Sequence, residues 1–176
     1  MKNKTLISVI LLSALCFVAC NHNSEKKFNK HRIVFDTDTN NELDDQHALA
    51  YLLFNQDVFK IEAITINTTS SGGNIEMQYE EARRVLQLCA ADTLPVFKGA
   101  DKSFREIINT IDSSTYDGKD AVETIIKEAI RSSNEKLTVL AVGKLSNIAL
   151  AIAKNPSIAA RIRLVWLGSN YPEPGE

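Results

Sequence analysis

Residues 32–54 read RIVFDTDTNNELDDQHALAYLLF, and the fold follows from the way this stretch changes period. Residues 32–36 form a β-branched and aromatic run ending in an acid, the pattern of a buried strand. Residues 43–54 carry apolar side chains at helical spacing. The same alternation repeats outward from this unit. Residues 61–66 (IEAITI) predict a second strand, 67–73 a loop rich in Thr, Ser and Gly, and 75–88 a helix. A short strand over 94–97, with Pro95 at its start, is followed by a helix over 121–130. Strand over 137–142, helix over 145–153 and strand over 161–167 complete the series, with Asn155-Pro156 marking the last helix end. Such regularity predicts an α/β domain built on a mainly parallel open sheet with helices on both faces. Ligands of these sheets sit beyond the carboxyl ends of the strands. Asp36 and Asp38, residues 67–74, Val142-Gly143 and residues 168–170 are therefore the positions to inspect.

The composition agrees. Of 176 residues, 44% are hydrophobic and 24% charged, enough apolar material for one sizeable core and too much for disorder. The formal net charge of −2 leaves no basic excess to neutralise phosphates, which argues against nucleic acid as a partner.

The first residues read as an address. Met1-Lys2-Asn3-Lys4 is a short positive region, and residues 6–19 form an apolar run too short to span a bilayer of ~30 Å. Residues 1–19 are expected to be a signal peptide. The run ends Phe17-Val18-Ala19-Cys20, which resembles a bacterial lipobox with Phe17 where Leu is preferred. Cys20 is then the lipidation site, and the protein is an exported lipoprotein held at the periplasmic face or cell surface by its acyl chains. The alternative is an ordinary secreted protein cut near Ala19. Cys16 leaves with the leader and Cys89 has no partner, so no disulfide is expected. Loss of residues 1–19 removes two lysines and shifts the net charge to −4. Residues 20–31 read as a polar tether and 32–176 as the folded domain.

Four Asp and one Glu fall within residues 36–45, at a strand-to-helix turn where they would repel unless a cation binds. A hard divalent ion takes carboxylate and carbonyl oxygens in such a setting. Asp44 and Asp45 lie about 100° apart around a helix, so one can meet the metal and the other a neighbouring ligand. Capping is the competing explanation, with Asn41 as N-cap and the early acids favoured by the helix dipole. It accounts for Asn41, Glu42 and Asp44 but gives Asp36 and Asp38 no purpose.

IVFDTDTNNELDDQHALAYLL, over 33–53, resembles the opening motif of the inosine/uridine-preferring nucleoside hydrolases, in the form with six residues from the second Asp to the last pair. AITINTTSSGGNIEMQYEEARRVLQL, LTVLAVGKLSNIALAIAKNPSIAARI and LVWLGSNYPEPGE are similar, in order, to later family segments. The resemblance implies a Rossmann-like fold and calcium-dependent hydrolysis of the N-glycosidic bond of ribonucleosides, releasing ribose and a free purine or pyrimidine base. It implies Ca2+ as cofactor, with Asp38 as metal ligand and general base, Asp45 as bidentate ligand and Val142 as carbonyl ligand. Asp44, Asn74, Asn170 and Glu176 are implied to bind ribose, and Asp36 to orient its neighbours. Asn67 competes with Asn74 for its role. No leaving-group acid stands out: His47, two residues past Asp45, is expected to pack or cap its helix. A homo-oligomer remains open.

In that family a C-terminal half supplies a further acidic ligand, so the chain is expected to be a truncated part whose sheet is incomplete at the C-terminus and which alone is inactive. Two other functions fit parts of the pattern. Asp36-Thr37-Asp38-Thr39 also resembles the haloacid-dehalogenase phosphatase motif, with Asp36 as nucleophile, although Asn40 departs from it and Asp44-Asp45 would be idle. A lipoprotein that binds ribose or calcium without turnover is the other.

Overall fold

The computed structural model describes residues 29–69, 71–131, 133 and 135–168. The expected signal peptide, Cys20, Asn170 and Glu176 lie outside them. Five strands, β1 (His31–Thr37), β2 (Phe59–Ile66), β3 (Val96–Lys98), β4 (Leu137–Ala141) and β5 (Ile162–Trp166), form one sheet in the order β3-β2-β1-β4-β5. Every pairing is parallel. The helices are α1 (Leu43–Phe54), α2 (Ile75–Leu88), the short α3 (Phe104–Ile107), α4 (Lys119–Ile130) and α5 (Ser146–Lys154). Sequence periodicity missed α3, whose one turn is too short to show a repeat; its capping box, Ser103 with Glu106, was the available signal.

Alternation along β1 divides the core. Ile33 and Phe35 pack with Leu49, Leu52 and Leu86 of α1 and α2 on one face. Val34 packs with Val122, Ile125, Ile148 and Leu150 of α4 and α5 on the other. Helices thus cover both faces, as parallel sheets require. The strand order reverses between β1 and β4, and a crevice opens there beyond the carboxyl ends.

At the opposite end of β1 the pairing with β2 slips between Ile33 and Val34, which leaves Glu62 as the extra residue. Arg32 Nε donates to Glu62 Oε1 at 2.8 Å and Arg32 Nη2 to Glu128 Oε2 at 2.8 Å. Arg131 bonds both glutamates, reaching Glu128 Oε2 at 2.9 Å. Burial pushes Glu62 up, but its bonds from Arg32, Arg131 and Lys60 outweigh this and hold its carboxyl below the usual range.

The edge strand β5 buries Ile162 alone; Leu164, Val165 and Trp166 are exposed on both of its faces.

Candidate active site

Asp36, at the end of β1, is completely buried. Its Oδ1 accepts from Asn67 Nδ2 at 2.7 Å; its Oδ2 accepts from Thr65 Oγ1 at 2.6 Å and from Asn147 Nδ2 at 2.8 Å. Burial pushes its pKa up to about 6 against these three bonds. A carboxylate with both oxygens taken and no access to solvent cannot attack a substrate, which removes the nucleophile of the phosphatase pattern. It organises instead. Asn147 also accepts from the Ala100 amide at 2.8 Å and donates to the Ile66 carbonyl at 2.9 Å, binding the ends of β2 and β3 to α5.

Two residues on, Asp38 behaves differently. Its Oδ2 accepts from the Thr69 hydroxyl, whereas Oδ1, buried, has no hydrogen-bond partner among the described residues. Burial raises its pKa. The Asn41 amide donates to the Asp38 carbonyl at 2.7 Å and turns the chain into α1. Asp45 on the first turn is buried, and its Oδ1 accepts from Thr37 Oγ1 at 3.2 Å, with the Glu42 main chain also bonding the carboxylate. Burial, then the charge of Asp38, pushes it up to about 7. Asp44 is exposed beside it, so the pair divides as its helical spacing predicts. Asp38, Asp44, Asp45 and Val142 line one cavity of about 650 Å³, with Thr69 and Lys144 among its other walls.

Across this cavity Gly143 permits an approach that no other residue would. A Cβ there would fall 2.4 Å from Asp38 Oδ1 and 2.9 Å from Asn67 Oδ1. Among the described residues no three His, Cys, Asp or Glu side chains converge as a metal cluster. The donor set still fits a hard cation: a carboxylate oxygen without a partner among the described residues, a second buried carboxylate, and the carbonyls of a neighbouring main-chain turn, all oxygen donors. Two buried acids this close need a positive charge to remain ionised at neutral pH.

Other expected residues fall elsewhere. Asn74 does not line the cavity; it is the N-cap of α2, its Oδ1 accepting from the Met77 amide at 3.0 Å. Asn67 is buried and spent on Asp36 and on the Lys144 amide, 3.3 Å from its Oδ1. Asn41 does not cap α1: Glu42 holds that position without a side-chain bond, and Asn41 instead accepts from Ser71. His47 is exposed, which fits neither packing nor capping. Lys144, absent from the sequence reading, is half-buried with Nζ 3.2 Å from Thr68 Oγ1 and 3.4 Å from the Asp101 and Lys102 carbonyls. Burial holds its ammonium below the usual pKa.

Comparison with known proteins bears on this geometry. The family model described as inosine-uridine preferring nucleoside hydrolase matches residues 33–176. The non-specific ribonucleoside hydrolase RihC of Klebsiella pneumoniae strain 342 is 28% identical over 78% of this chain and 49% of its own length. The chain spans about half the length of the curated relatives it matches. A plant nucleoside hydrolase, PpNRh1, superposes with a TM-score of 0.65 at 20% identity over 81% of this chain and 49% of that one. The inosine-uridine preferring nucleoside hydrolase of Bacillus anthracis gives 0.60 at 20% identity, over 81% and 52%. At these identities the two structures bear on the fold alone, and they share it.

Proposed function

Because the chain belongs to the inosine-uridine preferring nucleoside hydrolase family, we propose that it carries the metal- and sugar-binding part of an enzyme that hydrolyses the N-glycosidic bond of ribonucleosides, releasing ribose and a free base. The observation that carries this reading is Asp38 Oδ1, without a hydrogen-bond partner among the described residues and buried at the strand-order reversal beside Asp45 and the Val142-Gly143 turn.

Asp38 and Asp45 would hold a calcium ion with the Val142 carbonyl, while water and substrate hydroxyls fill the remaining positions of its usual six to eight. When bound, the ion supplies a lowered pKa for water and a fixed anchor for the sugar. Asp38 takes the proton from the attacking water as general base. Asp44, exposed at the rim, accepts a hydrogen bond from a ribose hydroxyl. Bond cleavage places positive charge on the sugar ring, and the carboxylates lining the cavity stabilise it. Asp36 serves by holding Asn67 and Asn147, which keep the ends of β2 and β3 in register with α5. Asn170 and Glu176 belong to the same proposal as sugar ligands. The leader and Cys20 add an exported, lipid-anchored location, checked by palmitate labelling that Cys20→Ser abolishes.

Ribose release from inosine and uridine, followed with calcium and with chelator in the complete protein and in its Asp38→Asn variant, tests the activity. Calcium-dependent release lost in the variant is expected. Ribose binding without release would make the protein a binder, and magnesium-dependent phosphate release from sugar phosphates without any base would make it a phosphatase; either overturns the proposal.

A further inference from the structure

Trp166 is the one tryptophan of the chain, and at 44% exposure it is too open to be explained as core. Its side chain nonetheless has a defined bond: the indole Nε1–H donates to the Gly143 carbonyl at 2.9 Å. The main chain prepares this contact. Trp166 pairs with Ala141 on β4, and the Leu167 amide donates to the Ala141 carbonyl at 2.9 Å. Gly168 leaves room for the ring, since a Cβ there would fall 2.7 Å from Nε1. The turn that the indole grips is tied on its other sides as well. The Val142 amide donates to the Asp36 carbonyl at 2.9 Å, and the Lys144 amide lies 3.3 Å from Asn67 Oδ1.

We propose that Trp166 is a positioning residue for the metal centre, its indole N–H fixing the Gly143 carbonyl, one peptide beyond the Val142 carbonyl, and so restraining the turn that carries Val142 beside Asp38. The inference rests on the reading that calcium binds at Asp38, Asp45 and Val142. Val142 is offered as a ligand through its main chain, so no side chain of its own can aim it. The aim has to come from the bonds on either side, and among the described residues the bond from Trp166 is the one made by an exposed side chain at the cavity wall. Outer contacts of this kind typically govern 10–100-fold in metal affinity. A tryptophan donor in such a place should also report on the metal through its emission.

Calorimetric titration of calcium into the wild-type protein and Trp166→Phe, with urea denaturation of both in chelator, separates the possibilities. Expected are wild-type tryptophan emission that changes with the calorimetric midpoint, and a variant at least tenfold weaker for calcium with an unchanged metal-free urea midpoint. Equal affinity in the variant overturns the inference. So does wild-type emission that stays flat at saturating calcium, a result available even should the variant fail to fold. No calcium binding by the wild type overturns the metal reading itself, and this inference with it.

Discussion

Gly143 lies so close to Asp38 that a single methyl group on it would fall 2.4 Å from the carboxylate oxygen Oδ1. Gly143→Ala must therefore push aside either the Asp38 carboxylate or the turn that presents Val142. Oδ1 has no hydrogen-bond partner among the described residues, so the displaced group is the one proposed to meet calcium. The variant should bind calcium at least tenfold more weakly, read by calorimetry. Affinity equal to wild type would mean that Oδ1 is not a ligand.

The two acids proposed for separate work should fail separately. In the complete protein Asp38→Asn removes a charged ligand and the base, and hydrolysis should fall by at least ~10²-fold with weakened calcium binding. Asp44 is exposed at the rim, so Asp44→Ala should raise KM and leave the calcium affinity near wild type. Calcium loss as the main effect of Asp44→Ala would reverse the two roles.

Asn147→Ala strips the Ala100 amide and the Ile66 carbonyl of their side-chain partner and takes one bond from Asp36. Buried groups left this way cost about 3 kcal/mol together. Urea denaturation should show the loss in chelator as fully as in calcium, since Asn147 has no bond to Asp38 or Asp45.

The ion cluster of Arg32, Glu62, Glu128 and Arg131 gives a pH-dependent prediction. The Glu62 carboxyl titrates below its unfolded value, so its contribution is present above the ordinary carboxylate range and disappears as pH falls through the folded value. Arg32→Met leaves two buried glutamates short of a cation and should cost about 3 kcal/mol at pH 7. Denaturant midpoints of wild type and variant should converge as the pH is lowered through that window; a gap that does not close would assign the loss to packing of the Arg32 stem.

The sequence made the alternation of strands and helices legible because each core element is long enough to show its period: residues 43–54 as helix against Ile33, Val34 and Phe35 as strand. That one acid of α1 turns inward beside Asp38 was legible for a similar reason, since the cluster sits on one strand–turn–helix unit; that it is Asp45 and not Asp44 followed from the family resemblance. What lay hidden was made by tertiary contact. Asn147 meets Asp36 across 111 positions of chain, and no local pattern marks it. Lys144 and Trp166 converge on the cavity only through the order of β1, β4 and β5. Asn74 shows the reverse difficulty. An Asn ahead of Ile75-Glu76-Met77 is a helix cap on local grounds, and the structure uses it as one.

The three bonds on Asp36 also bear on how such a protein could diverge. Replacing Asp36 alone would strip the Asn67 amide of its acceptor and the Asn147 amide of one of its two, and replacing either Asn alone would leave the acid short of a donor. Change at these positions is therefore expected as a concerted exchange, so that they co-vary among descendants. Asp38 and Asp45 carry no such mutual debt. A lineage that abandoned the chemistry could lose them one at a time and keep its fold, leaving Asp36, Asn67 and Asn147 behind as the fossil of a site no longer in use.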